Sequence, residues 1–355
     1  MPVGFNVVAA FALAFAVTLV AVPWAIELAH RTRFYDHPGG YKRHMAPTPY
    51  LGGLAVVLGL VVGGAALGAR IDELLPILAV AVAALVVGTI DDRIGLNIFV
   101  RLAFELGAGA ALYYSGFGWS VFGVEAADLL LTLLFVVGVV NAFNLMDNLD
   151  GATPTVALVL AAAITLYAAT HGQPEVAALA VALAGACAGF LPYNLAIPRA
   201  RIFLGDGGSM AIGIALAGLL MALPVTEGFG WRRVAVIVVF IGLPALDTAL
   251  VIVSRLRRNV NVFSGGRDHL THRLLDRLGS SRRVALVLAA GQAALSGIAI
   301  ALFDLGPIAG AAGAAMVVLT GMVLIAVLET ARLESEASAP QPEISPAPAP
   351  DEAPA

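Results

Sequence analysis

Charged residues are scarce in this chain. Asp, Glu, Lys and Arg make up 12% of its 355 residues, against about a quarter in a soluble domain. With 60% of residues hydrophobic, a soluble globular body is excluded. Cysteine is confined to Cys187, inside an apolar run, so neither a disulfide nor a cysteine-based metal site is available. Lysine is confined to Lys42, and arginine carries every other permanent positive charge. Met1 to Phe5 holds no basic residue and the first cations follow the first apolar run, so no cleavable signal peptide is expected. The net charge of −4 says little, because the placement of the charges matters more than their sum.

The chain is rich instead in apolar runs long enough to cross a hydrocarbon core of roughly 30 Å. They predict an all-α polytopic membrane protein with about eleven spanning segments, near 5–27, 51–68, 74–90, 98–114, 127–143, 154–170, 176–191, 209–224, 234–254, 284–302 and 306–328. With the loops after the odd-numbered segments and the C-terminus on one side, that side holds sixteen of the twenty Lys and Arg residues. The opposite side holds Arg70, Arg232 and Arg233, and Arg101 lies within a segment. The positive-inside rule then makes the rich side cytoplasmic and places the N-terminus outside, in a multi-pass protein of the inner (plasma) membrane. Residues 1–332 read as one membrane domain. Residues 333–355, rich in Pro, Ala, Ser and acid, cannot bury a core and read as a disordered cytoplasmic tail.

The side chains with chemistry to offer gather in the cytoplasmic loops. The first runs from Arg33 through Lys42, Arg43 and His44 to Pro47-Thr-Pro49-Tyr-Leu-Gly-Gly53, a rigid non-helical stretch whose cations read either as phosphate ligands or as positive-inside charge. The second holds Asp91-Asp92 directly after an apolar run. An acid at bilayer depth costs about 2.5–3.5 kcal/mol, so the pair implies a neutralising cation or a helix end wetted at the headgroups. Arg101 and Glu105 are spaced i, i+4; they read as a buried salt bridge or as a guanidinium offered to a phosphate.

The third loop, Asn141-Ala-Phe-Asn144-Leu-Met-Asp147-Asn148-Leu-Asp150, has far more amides and acids than capping needs. Their i, i+3 spacing lines one helical face with oxygen ligands. It is not an EF-hand, since the glycine and terminal glutamate are missing. In the fourth, Phe203-Leu-Gly205-Asp206-Gly-Gly-Ser209 lets backbone amides approach an anion at a helix N-terminus, with Asp206 placed to bridge a metal. It is not a Walker A loop. The fifth is long and basic, and from Asp268 it turns amphipathic, with His269, His272, Arg273 and Asp276 polar. It reads as an interfacial helix, as a phosphate-binding arm with a titratable histidine, or as both. Together the loops suggest metal-assisted phosphoryl chemistry on a substrate pair, one partner from the cytoplasm and one from the bilayer.

Six ordered blocks carry a resemblance: Lys42-Arg-His44 to Gly53, Asp91-Asp92-Arg-Ile-Gly-Leu96, Asn141 to Gly151, Phe203 to Ser209, Pro244-Ala-Leu-Asp247 and Arg267-Asp-His269-Leu-Thr-His272-Arg273. They resemble the polyprenyl-phosphate N-acetylhexosamine-1-phosphate transferases (MraY/WecA/TagO-like), and the histidine block is similar to the WecA/TagO branch. The resemblance implies transfer of an N-acetylhexosamine 1-phosphate, GlcNAc-1-phosphate in this branch, from a UDP-sugar to undecaprenyl or decaprenyl phosphate, with release of UMP at the start of a cell-envelope glycan. It implies Mg²⁺, with Mn²⁺ as its substitute, held by Asn144 and Asp206. Asp91, Asp92 and His269 would be catalytic, the two acids facing the lipid phosphate. Lys42, His44, Arg101, Asp147, Asp150, Phe203, Arg267, His272 and Arg273 would bind substrate, with Phe203, Lys42 and Asp150 on the uridine. The partners implied are UDP-N-acetylhexosamine, polyprenyl phosphate and the bilayer, with no nucleic acid; a homodimer is compatible with them.

Two positions depart from the family pattern: Asn148 where Gly is usual, and Arg101 where Lys is usual. Other readings are the same chemistry on UDP-MurNAc-pentapeptide and an ion-coupled transporter, whose ionisable groups would belong near the midplane. A CDP-alcohol phosphotransferase would need Asp-Gly-x-x-Ala-Arg, which Asp150-Gly-Ala-Thr-Pro does not supply.

Overall fold

The computed structural model describes residues 3–36, 46–65, 68–223, 230–262, 264–305 and 307–337. Lys42 and His44 lie outside the described residues, as does the tail from 338. Two short strands, β1 (Tyr35–Asp36) and β2 (Thr48–Pro49), pair antiparallel; everything else of regular structure is helical. The first half holds α1 (Val3–Thr32), α2 (Gly52–Ala65), α3 (Leu75–Ile94), α4 (Ile98–Leu112), α5 (Glu125–Met146), α6 (Ala152–Thr170) and α7 (Pro174–Asn194). The second holds α8 (Gly205–Ala222), α9 (Gly230–Phe240), α10 (Gly242–Arg257), α11 (Leu270–Leu278), α12 (Ser281–Asp304) and α13 (Pro307–Ala337).

All eleven apolar segments are helical, but not all are long enough to span. Eight helices are, or nine if α9 and α10 together make one span, among the described residues. α2, with 14 residues, reaches only about 21 Å at 1.5 Å per residue, and α4, with 15, gives way to a π-helical turn over Tyr113–Phe117. The run 234–254, expected as one segment, is broken by 78° between α9 and α10. Pro244 explains the break: its ring excludes the carbonyl four residues back and it has no N–H to donate. That carbonyl, on Phe240, accepts from Gln292 Nε2 of α12 at 2.8 Å. In an apolar surround a freed backbone group must find such a partner.

The centre of the bundle is α8, with 89% of its residues buried against 11% in α13's apolar stretch. It packs on α2, α3, α5 and α7. A helix apolar all round belongs in such a core. Small residues let the neighbouring backbones approach: a Cβ on Gly88 of α3 would lie 2.5 Å from the backbone nitrogen of Gly207. This contact sets α3 against the first turn of α8 and so places the acids of both. Gly88→Ala should destabilise the protein by about 1–3 kcal/mol, the usual effect of overpacking. Gly138→Ala on α5, which has open space around it, should change nothing. Equal melting temperatures for the two variants in detergent would refute the close approach.

Candidate active site

The site is built on the N-terminus of α8. Gly205 enters the helix at φ 80°, which glycine adopts without strain. The backbone N–H groups of Asp206 and Gly207 then donate to Asp92 Oδ1 at 3.0 Å and Oδ2 at 3.3 Å. The glycine-rich turn does bind an anion, and the anion is the carboxylate of Asp92. Orphan amides and the positive end of the helix dipole favour that arrangement. α3 runs on to Ile94, past the expected end near 90, so Asp91 and Asp92 lie in its last turn and not in the loop.

Asp91 faces another way. Its Oδ1 accepts from the Leu96 N–H at 2.6 Å, and its Oδ2 stands 2.9 Å from Arg101 Nη1. Oδ2 is buried, with that ion pair but no hydrogen bond. Arg101 is the cation that neutralises the acids. Its Nη2 donates to Asn144 Oδ1 at 2.7 Å, and its Nη1 lies 3.5 Å from Asp206 Oδ2. Asn144 Nδ2 in turn donates to Asp206 Oδ1 at 2.9 Å and to Ser209 Oγ at 3.0 Å. Of the two readings of Arg101 and Glu105, the structure forms no direct pair: Glu105 accepts from Asn141 Nδ2 at 2.5 Å.

The expected continuous face from Asn141 to Asp150 is interrupted, because α5 ends at Met146 and Asp147 caps it. Asn141 ties α5 to α4, and only Asn144 enters the cluster from the helix. Asp147 follows, half-buried; burial raises its carboxyl pKa, and Asp206 and then Asp150 push it further. Tyr50 stands by the same acids. Burial, then Asp92 and Asp206, then Asp36 and Asp147, hold its phenol protonated. Its ring meets Phe203 edge-on at 6.1 Å. The first and fourth loops are joined at the backbone, Phe203 N–H donating to Pro49 O at 2.9 Å and Gly52 N–H to Phe203 O at 3.0 Å. Asn194 links the third loop to the fourth: its Oδ1 accepts from the Gly151 N–H at 2.6 Å and its Nδ2 donates to Ile202 O at 3.0 Å.

Sequence reading did not single out Tyr50, Asn194 or Ser209 as site residues. Tyr50 and Ser209 sit inside quoted blocks, while Asn194 had only the signal of a lone amide at the end of an apolar run.

The fifth loop brings in the histidines. His269 Nδ1 is 2.9 Å from Asp247 Oδ2, and the Leu270 N–H donates to Asp247 Oδ1 at 2.6 Å. A carboxylate at Nδ1 selects the tautomer that leaves Nε2 as the acceptor. Thr271, fully buried, donates its hydroxyl to Asn148 Oδ1, which ties α11 to the Asp147–Asp150 loop. Arg267 lies 3.3 Å from Asp276 Oδ1. Arg273 turns from the acids to Leu328 O and Glu329 on α13. The structure thus joins Asp91, Asp92, Arg101, Asn144, Asp147 and Asp206 with Tyr50, and docks the His269 arm on their loop.

No three His, Cys, Asp or Glu side chains among the described residues converge to hold an ion alone. Asp206, Asn144 and Asp91 are nonetheless hard oxygen donors, and Asp91 Oδ2 is a buried carboxylate oxygen without a hydrogen bond. Mg²⁺ takes one or two carboxylates and leaves its other positions to water and phosphate, so these residues fit it.

His272 yields a pH prediction. Burial, with the charges of His269 and Arg267, pushes its pKa down from 6.5 to about 4, and its Nδ1 is buried without a partner. Below pH 6.5 the unfolded chain binds a proton there that the folded chain refuses until about pH 4. The stability it contributes is therefore lost as pH falls through that window. Between pH 7.5 and 5.0 the wild type should lose more melting temperature than His272→Gln, and equal losses would refute the assignment.

Comparison with known proteins bears on what this cluster is for. A family model described as glycosyl transferase family 4 matches residues 74–224, the stretch from Asp91 to Asp206 and the rest of α8. The chain is 36% identical over 300 residues to the decaprenyl-phosphate N-acetylglucosaminephosphotransferase of Mycobacterium tuberculosis (strain H37Rv), covering 74% of each. It is 34% identical over 354 residues to the protein of that name from Mycolicibacterium smegmatis, covering 88% of this chain and 86% of the relative. Against the undecaprenyl-phosphate alpha-N-acetylglucosaminyl 1-phosphate transferase of Escherichia coli K12 it is 30% identical over 295 residues, 79% of each. The chain belongs to glycosyl transferase family 4, among the polyprenyl-phosphate N-acetylglucosamine-1-phosphate transferases.

Proposed function

We propose that this chain transfers N-acetylglucosamine 1-phosphate from UDP-GlcNAc to a polyprenyl phosphate, releasing UMP and starting a cell-envelope glycan. The observation that carries the reading is the cluster of Asp91, Arg101, Asn144 and Asp206 at the end of a transmembrane bundle. There a lipid phosphate and a water-soluble donor can meet. The relatives' names, which specify N-acetylglucosamine and a decaprenyl or undecaprenyl phosphate, favour this over UDP-MurNAc-pentapeptide and over ion transport. The arginine asymmetry favours a plasma-membrane protein with the site facing the cytoplasm.

In this reading an oxygen of the lipid phosphate attacks the β-phosphorus of the donor. The bond from that phosphorus to the bridging oxygen breaks, and UMP departs with the electron pair. Phosphoryl transfer asks a protein chiefly for positioning and charge stabilisation. Asp206 and Asn144 would hold Mg²⁺, which when bound neutralises the pyrophosphate and the leaving phosphate. Arg101 supplies a fixed positive charge beside them. Asp92, with both oxygens on α8's amides, positions that helix end, while Asp91 Oδ2 retains acceptor capacity for a proton from the lipid phosphate. His269, oriented by Asp247, offers Nε2 to the donor. Phe203 and Tyr50 give the uridine an aromatic edge, with Asp150 nearby in the third loop.

Purified protein given polyprenyl phosphate, UDP-GlcNAc and Mg²⁺ should release UMP, and a chelator should stop it. No UMP from any UDP-N-acetylhexosamine would sink the reading. Asp206→Asn should remain folded in detergent and lose at least about 100-fold in turnover, as when one charge-stabilising group is removed. Wild-type rates from that variant would remove Asp206 from the site.

A further inference from the structure

α11 is held in part by its apolar face, Leu270, Leu274, Leu275 and Leu278 packing against the core. It is nine residues long and only Thr271 in it is buried. A helix this short is marginal without tertiary contacts, yet it follows directly on His269, whose position the chemistry proposed above requires. Beside that packing, polar tethers to other elements fix its register. Two reach it from the site itself, Asp247 at His269 and Leu270 and Asn148 at Thr271.

The third tether comes from elsewhere. Arg273 Nε donates to the carbonyl of Asp268, the residue before His269, at 3.2 Å. Nη1 of the same guanidinium donates to Leu328 O of α13 at 3.1 Å, and Nη2 pairs with the Glu329 carboxylate. Asp268 is held from its other side by Arg255 of α10 and by Arg258, which caps that helix. The backbone entering His269 is therefore clamped between α10 and the last helix.

Glu329 is the unexpected member. α13 is the least buried of the long apolar helices, and a span that served only as an anchor would have no use for an acid. Glu329 is 2% exposed, and a buried carboxylate is tolerated where a charged partner meets it. Arg273 is that partner. Its fork is also matched to the task, since a planar guanidinium can serve a carboxylate and two carbonyls at once.

We propose that Glu329 is a positioning residue for the transferase reaction: through Arg273 it fixes the backbone that presents His269, and the last span thereby takes part in forming the active site. This rests on the activity proposed above, and it gives Arg273 a different task from the substrate contact that the family resemblance implies. A substrate contact would make Arg273 important and Glu329 dispensable; a clamp makes the two equivalent.

The test compares Glu329→Gln, Arg273→Gln and the exchanged pair Arg273→Glu/Glu329→Arg in the full-length protein. The readouts are melting temperature, deuterium uptake over residues 264–279, and kcat and KM for UDP-GlcNAc. Both single variants should stay folded, take up deuterium faster across that segment and lose about tenfold to a hundredfold in kcat/KM, the cost of a small misplacement. The exchanged pair restores the ion pair but not the donation to the Asp268 carbonyl, which a carboxylate at 273 cannot make, so it should recover melting temperature while uptake and kcat/KM stay impaired. Wild-type uptake and kinetics in Glu329→Gln beside a crippled Arg273→Gln would overturn the proposal in favour of a substrate contact. A Glu329→Gln protein that no longer folds, with no recovery in the exchanged pair, would overturn it in favour of a purely structural acid. If the wild type releases no UMP, the proposed activity fails, and deuterium uptake alone still decides whether Glu329 holds the arm.

Discussion

The interaction on which the rest depends is the pair of hydrogen bonds from α8's first turn to the Asp92 carboxylate. α8 is the most buried helix, and its unpaired N-terminal amides would be costly in an apolar surround. Asp92 satisfies two of them and places a negative charge on the positive end of the helix. The opposite end is treated in mirror fashion, Arg233 donating to the carbonyls of Met221 and Leu223. A carboxylate at one end and a guanidinium at the other complement the macrodipole. They also fix the depth of α8 in the bundle. Once α8 is fixed, Asp206 can point only toward α4 and α5, where Arg101 and Asn144 wait.

Charge balance explains the next layer. Asp91 and Asp206 share Arg101 as their nearest positive group, so the acids outnumber the cation, and an arriving divalent ion or a positively charged arm improves the balance. Arginine suits the position. Its planar fork meets Asp91, Asn144 and Asp206 together, where the single ammonium of the usual lysine would act as a point charge. The departure at Arg101 therefore keeps the charge and adds a fixed geometry among the groups it touches.

Sequence made much of this legible, unevenly. Long apolar runs specify transmembrane helices because nothing else satisfies the backbone in lipid, so all eleven segments were recovered as helices. The span count was not, because α2 is short, α4 gives way to a π-helical turn, and Pro244 acts on a carbonyl whose new partner, Gln292, lies about fifty residues away. The convergence of the acids was foreseeable from their loops falling on one face. Their division of labour was not: that Asp92 would bind backbone amides while Asp91 pairs with Arg101 depends on the crossing of α3 and α8, which Gly88 permits. Glu329 was invisible for the same reason, since a lone acid near a chain end reads as an ordinary interfacial charge until Arg273 is seen beside it.

Asn148 shows how a departure from a family pattern can be accommodated. Glycine is indispensable where the backbone is left-handed, but among the described non-glycine residues only Arg33 and Asn259 have positive φ. Asn148 does not, so a side chain costs nothing there in backbone strain. It is put to use: Nδ2 donates to Leu145 O at 2.6 Å, closing the frayed end of α5, and Oδ1 accepts from Thr271. The same amide thus finishes the helix that carries Asn144 and docks the helix that follows His269. Replacing glycine here exchanges a flexible joint for a rigid one between the Asn144–Asp206 cluster and the histidine arm, which is the coupling that a two-substrate transfer at a membrane surface requires.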